Sequence, residues 1–152
     1  MTQFYDILDK IKGRLRSNPN VFTVTYGDIF QVDLDKTTIF PLAHLNISNA
    51  QIGNNTITFT LQILCLDVVD YNKNDNTDDE FFKNTNLHDI LNTQLQVVND
   101  VVSQLSRGTL FSDNVQLIGN VEATPFMDRF ENELAGWGAN LQIQVANNIS
   151  VC

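Results

Sequence analysis

Thr56–Asp70 reads TITFTLQILCLDVVD. Ile57, Phe59, Leu61, Ile63 and Cys65 alternate with Thr56, Thr58, Thr60, Gln62 and Leu64, the period-two pattern of a strand with one buried face. Beyond Ile63 the alternation gives way to Leu64, Cys65, Leu66, Val68 and Val69, so that end is expected to be covered on both faces. Upstream, Leu42–Ala50 also alternates, with Leu45, Ile47 and Asn49 set against His44, Asn46 and Ser48. Ile52-Gly53-Asn54-Asn55 lies between them and holds the residue types that tolerate φ > 0 in a hairpin turn. The two strands predict a long hairpin at the centre of a sheet, on which the rest of the chain packs.

Working outward, Phe4, Ile7, Leu8, Ile11 and Leu15 form one stripe of an amphipathic helix, with Thr2 as its N-cap and Ser17-Asn18-Pro19-Asn20 as its stop. Val21–Thr25 reads as a short strand, Tyr26-Gly27-Asp28 as a turn, and Ile29–Leu34 as a second strand. Pro41 cannot donate to a ladder and belongs at the start or edge of the strand that follows. Tyr71–Thr85, YNKNDNTDDEFFKNT, is a long polar loop, a length that in compact domains marks function or mobility. Leu87, Ile90, Leu91, Leu95, Val98, Val101, Val102 and Leu105 predict the stronger helix, with Asn86 as N-cap, Asp89 at N3, and Arg107-Gly108 as its cationic last turn and C′ glycine. Val115, Leu117 and Val121 suggest a strand, Pro125–Gly138 a connection, and Leu141, Ile143 and Val145 a last strand. The order α-β-β-β-β-α-β-β predicts an α+β fold, a mostly antiparallel sheet with both helices on one face, in a single domain spanning residues 1–152.

Charged residues make up only 18% of the chain, and Asn and Gln are unusually frequent. An amide-rich surface suits a protein that keeps neighbours against it, although a genomic bias gives the same composition. The net charge of −9, with no basic run, argues against sequence-independent nucleic-acid binding, which needs cations to displace counterions from phosphates. Two cysteines, Cys65 and Cys152, do not make a disulfide framework, and Cys65 reads as a buried apolar residue. No apolar run reaches the roughly 18 residues of a membrane-spanning helix, and MTQFYDILDK lacks a signal-peptide pattern. The expectation is a soluble chain made in a reducing cytoplasm.

No catalytic constellation emerges. His44 and His88 fall in different elements without a nucleophile turn beside them, and Asp128, Glu131 and Glu133 read as a solvated face before they read as paired carboxylates. Asp70-Tyr71-Asn72-Lys73-Asn74 opens like a calcium loop but places Asp75 at the required glycine and Phe81 at the required bidentate glutamate. A loose cation site among Asp75, Asp78, Asp79 and Glu80 is the residue of that idea; no cofactor or defined metal site is expected. Trp137, flanked by Gly136 and Gly138, is either a core plug or an aromatic interface anchor.

TVTYGDIFQVDL (23–34), IFPLAHLNISNA (39–50), ITFTLQILCLDVVD (57–70) and DRFENELAGWGANLQIQVANNISVC (128–152) together resemble phage neck and tail-completion proteins, the tail-terminator group among them. The likeness rests on the G-D-I…F-P-L and G-W…I-S-V-C stretches and spans nearly the whole chain, with no catalytic signature. It implies a non-enzymatic virion subunit, made in the bacterial host's cytoplasm, that forms a six- or twelve-fold ring in the neck or at the tail end. Its partners would be copies of itself and adjoining neck, portal-adaptor or tail proteins, with DNA passing through unbound and no membrane involved. On that reading Asp75, Asp78, Asp79, Phe81, Phe82 and Trp137 are the candidate assembly residues, and 71–85 a partner-contacting arm. The alternatives are a small-molecule-binding or regulatory α+β module that dimerises through its sheet, and a hydrolase with a carboxylate site.

Overall fold

The structure, a computed structural model, describes residues 3–27, 40–69, 86–108, 115–129 and 134–147. Its elements run α1 (Gln3–Arg16), β1 (Thr23–Tyr26), β2 (Leu42–Ile52), β3 (Thr56–Val68), α2 (Leu87–Arg107), β4 (Val115–Ile118), β5 (Ala123–Arg129) and β6 (Leu134–Ala146). The strand expected at Ile29–Leu34 lies outside the described residues.

β3 is the central strand. It pairs antiparallel with β2 on one side and along its whole length with β6 on the other. β1 adds to β2 in parallel at one edge, and β4 and β5 both pair antiparallel with β6 at the opposite edge. β4 and β5 are thus two segments of one interrupted strand line, parted at residues 119–122, where Gly119 takes a φ of 69°. Two strand lines therefore follow α2, and the fold is the α+β arrangement expected.

The alternation in β3 places Ile57, Phe59, Leu61, Ile63 and Cys65 on one face, each 5% exposed or less. Cross-strand partners continue the rows: Ile47–Leu61–Leu141, Leu45–Ile63–Ala139 and Ala43–Cys65–Trp137. Ile7, Ile11 and Leu15 of α1 and Val97, Val98, Val101 and Leu105 of α2 cover this face, and Phe4 meets Phe59 edge-on at 6.0 Å between ring centroids. Arg14 joins the helices through a two-pronged contact with Asp100, Nε to Oδ2 and Nη2 to Oδ1, both 2.7 Å. The carboxylate holds the guanidinium above its ordinary pKa, as a hydrogen-bonded counter-charge does. On the other face, Leu42, Leu66, Phe126 and Leu134 close over the far end of β3, which explains why its apolar run loses alternation there.

Four local expectations need correction. Pro125–Gly138 is not a connection but most of β5 and the start of β6. Gly136 is there because a Cβ would run into the Cys65 carbonyl oxygen and lie 2.8 Å from Leu66 Cα, so the glycine permits close strand approach. Asn86 sits at the start of α2 but makes no side-chain cap; its Nδ2 donates instead to the Val68 carbonyl at 3.4 Å, tying α2 to β3. Gly108 ends α2 in an extended conformation, φ −110°, with its N–H on the Gln104 carbonyl at 3.1 Å, rather than as a left-handed C′ residue. The hairpin turn closes through Gly53 N–H to Thr56 O at 2.8 Å, and the positive-φ glycines among the described residues, Gly27 and Gly119, lie elsewhere. Pro41 stands just before β2 as expected, its carbonyl accepting from Phe22 and Thr23 N–H.

Candidate functional site

The titratable groups of the core have structural explanations. His44 is 3% exposed and held from both ring nitrogens: Nε2 lies 2.7 Å from the Gly27 carbonyl, and Nδ1 2.7 Å from Thr25 Oγ1. A carbonyl can only accept, so Nε2 carries a proton, and in the neutral ring Nδ1 accepts from the Thr25 hydroxyl. The imidazole thus fastens the β1 end to β2. Cys65 is a free thiol that burial pushes up to about 12, which leaves it without thiolate character near neutral pH. Burial likewise raises the Asp67 carboxyl above the ordinary carboxylate value, against the opposing effect of the Val68 N–H bonded to Oδ1 at 2.7 Å.

Trp137 lies on the helix-covered face and is partly buried, with its indole N–H donating to the Leu91 carbonyl at 2.7 Å. Of its two readings the geometry supports the core plug, because the polar edge of the ring is already engaged by α2. Asp75, Asp78, Asp79, Phe81 and Phe82 lie outside the described residues, as do the side chains of Asp128, Glu131 and Glu133 and the whole candidate cation loop. Among the described residues no group of three or more His, Cys, Asp or Glu is placed to hold a metal ion, and no helix is long and apolar enough to cross a membrane.

Two concave surfaces among the described residues lie on or beside the sheet. A groove of about 410 Å³ crosses the face of the sheet opposite α1 and α2. Asn46, Gln62 and Asn140 form one cross-strand row in it, Leu64 and Gly138 its floor, and Thr124, Pro125 and Phe126 a wall, with Glu122 at the rim. Among the described residues its lining includes no lysine or arginine. A second groove, about 270 Å³, runs between α1 and β1 over Leu8, Val24 and Leu45, with Tyr5 and Tyr26 at its margins and Lys12 and Arg16 beside them.

Among the described residues most of the exposed large apolar side chains lie at or beside the two edges of the sheet, the exceptions being Ile52 at the β2–β3 hairpin and Leu95 on α2. Phe22 is 72% exposed, Tyr5 68% and Tyr26 49% on the β1 side; Met127 is 51% and Ile118 38% exposed on the β4–β5 side. Periodicity could not reveal these residues, since each stands in an ordinary strand or helix pattern and becomes an edge residue only through the strand order. Bulky apolar groups held in water at opposite ends of a sheet are suited to contact rather than to chemistry. No protein-family model matches the chain, and no curated protein matches it.

Proposed function

We propose that this chain is a non-enzymatic structural subunit that assembles into a ring at the head–tail connector or tail end of a tailed phage, with DNA passing through the ring. The observation that carries the reading is the pair of unlike sheet edges, each presenting large apolar side chains to solvent. Unlike edges on one subunit join head to tail, and a head-to-tail contact closes into a ring when its rotation permits. The sequence resemblance to neck and tail-completion proteins and the charge of −9 support the same reading. An acidic or neutral lumen releases DNA, whereas cationic contacts hold it by counterion release. A lumen ringed by Lys10, Lys12, Arg14 and Arg16 would contradict this and indicate DNA gripping. Mass photometry of the purified chain across concentration is the direct test: six- or twelve-fold species are expected, and a mass that stops at the dimer refutes the ring.

One observation favours a second reading, a small-molecule-binding module. The groove of about 410 Å³ has a size usual for ligand sites and a row of three amides beside an apolar floor. Under that reading a soluble ligand raises the melting temperature and the chain forms no ring.

A further inference from the structure

We infer that the groove across β2, β3, β6 and β5 binds a neutral sugar, held by the side-chain amides of Asn46, Gln62 and Asn140 beside the apolar floor of Leu64. The inference rests on the ligand-site reading of that groove and names its ligand class.

Hydrogen-bonding capacity is the first argument. Asn46, Gln62 and Asn140 stand directly opposite one another on three neighbouring strands, about 4.8 Å from strand to strand. Side chains so placed are close enough to bond one another, yet among the described residues none of the three has a hydrogen-bond partner. Each amide offers a donor NH2 and an acceptor oxygen. Adjacent sugar hydroxyls call for that combination, since each of them also donates and accepts. Thr124 adds a hydroxyl on the β5 side.

Charge is the second argument. Among the described residues the lining holds one carboxylate, Glu122, and no lysine or arginine. A phosphate or carboxylate ligand meets no cation there and is repelled by Glu122. One exposed carboxylate is in turn a weak hold on a cation, but it accepts readily from hydroxyls. The lining therefore selects a ligand that is polar without being charged.

Shape is the third. Leu64 and Gly138 are cross-strand partners on this face, flanked by Pro125 and the nearly buried ring of Phe126. Gly138 keeps the floor low, since a Cβ there would lie 3.0 Å from Leu64 Cδ2. An apolar floor beside a row of amides fits a pyranose ring, which has an apolar C–H face and a rim of hydroxyls. A peptide is a poorer fit. Extended peptides are held through backbone groups at a sheet edge, and Gln62 lies in the central strand, whose backbone is paired on both sides.

The test is a titration of the full chain, isotopically labelled and followed by NMR through the side-chain NH2 resonances of Asn46, Gln62 and Asn140. The probes are the methyl glycosides of glucose, galactose, mannose and N-acetylglucosamine, the uronates of glucose and galactose, and a capped tetra-alanine peptide. At least one neutral glycoside should shift these resonances saturably, with the uronates binding more weakly or not at all. Gln62→Ala with Asn140→Ala, both at exposed positions, should weaken that binding about tenfold or more, the scale of losing a pair of hydrogen bonds. Gln144→Ala, four residues along β6 on the same face, should leave it unchanged. Saturable shifts with a uronate or the peptide and with none of the neutral glycosides overturn the sugar while the groove stands as a ligand site. Binding that Gln144→Ala weakens as much as the double variant also overturns the inference. If no probe shifts the amides at any attainable concentration, the ligand-site reading fails with it.

Discussion

Gln94 is the residue whose replacement should make this protein more stable. It lies on the core-facing side of α2, 1% exposed, and its Oε1 is a buried acceptor with no hydrogen-bond partner. A buried polar group left unsatisfied costs about 1–3 kcal/mol, because its bonds to water are lost and nothing replaces them. Methionine has nearly the shape of glutamine, keeps the helix propensity and exchanges the amide for a thioether that needs no partner. Part of the gain is offset by whatever the amide nitrogen contributes, so Gln94→Met should stabilise by about 1–2 kcal/mol. For a chain of 152 residues that corresponds to about 2–8 °C in melting temperature. The assay is urea unfolding followed by circular dichroism, where the midpoint should rise with an unchanged slope. Gln94→Ala is the control: it removes the same unsatisfied oxygen but leaves a void, and should fall below Gln94→Met. Equal or lower stability for Gln94→Met would refute the reasoning, since it would mean that the amide oxygen is being satisfied.

Four further outcomes are expected. Leu61 is fully buried between Ile47 and Leu141, where paired strands on both sides resist collapse, so Leu61→Ala should cost about 3–5 kcal/mol by the same unfolding assay; a cost under about 1 kcal/mol would place it on the wrong face. Gly136→Ala should be destabilising at or beyond the upper end of the roughly 1–3 kcal/mol usual for overpacking, because the added carbon meets β3 backbone. Gly13→Ala in α1, where nothing lies within 4 Å of the new carbon, should instead stabilise by about 1 kcal/mol. Burial raises the Asp67 pKa above 3.8, so the folded state binds the proton more tightly, and stability falls as pH rises from that ordinary value through the folded one. Asp67→Asn should therefore be more stable than the parent at pH 7, with the advantage vanishing as pH drops below the ordinary carboxylate value; a parent that is the more stable at pH 7 would show that the bond to Val68 N–H outweighs burial.

The central hairpin was legible because Ile57 through Ile63 alternate without interruption, and a strand with one buried face leaves that trace in any sequence. Both helices were legible for the same reason at a longer period. The stretch from Pro125 to Gly138 was not, since Pro125, Gly136 and Gly138 are the residue types that punctuate loops. Each is tolerated for a reason that exists only in three dimensions: Pro125 sits on an edge strand, and Gly136 lies against the β3 backbone. Asn86 stands where an N-cap belongs, yet its amide reaches the Val68 carbonyl, a partner 18 residues away that local spacing does not disclose. The edge residues Phe22, Tyr26, Ile118 and Met127 were illegible in a different way. Nothing in their neighbourhoods distinguishes them from core positions, and only the order β1-β2-β3-β6 with β4 and β5 outermost puts them at the margins.

That order also sets how such a sheet limits indiscriminate strand addition. An open sheet with unpaired edges is prone to indiscriminate strand addition, and protection takes the form of short strands, proline and bulges. β4 has four residues, β5 carries Pro125 and a register shift between Phe126 and Arg129, and Gly119 with its positive φ starts the gap that separates them. β1 is equally short, with its Thr25 hydroxyl committed to His44. The sheet itself is pinned in register by the apolar rows on the helix side, since a one-residue slip of β6 against β3 would turn Leu141 and Ile143 into water and Gln142 into the core. What the edges retain is side-chain chemistry: two tyrosines, a phenylalanine and two cations at one end, a methionine, an isoleucine and a carboxylate at the other. Backbone pairing accepts any extended chain, whereas a contact made by side chains accepts only surfaces complementary in shape and charge, so short strands broken by a proline and a bulge disfavour the promiscuous contact and leave the selective kind open.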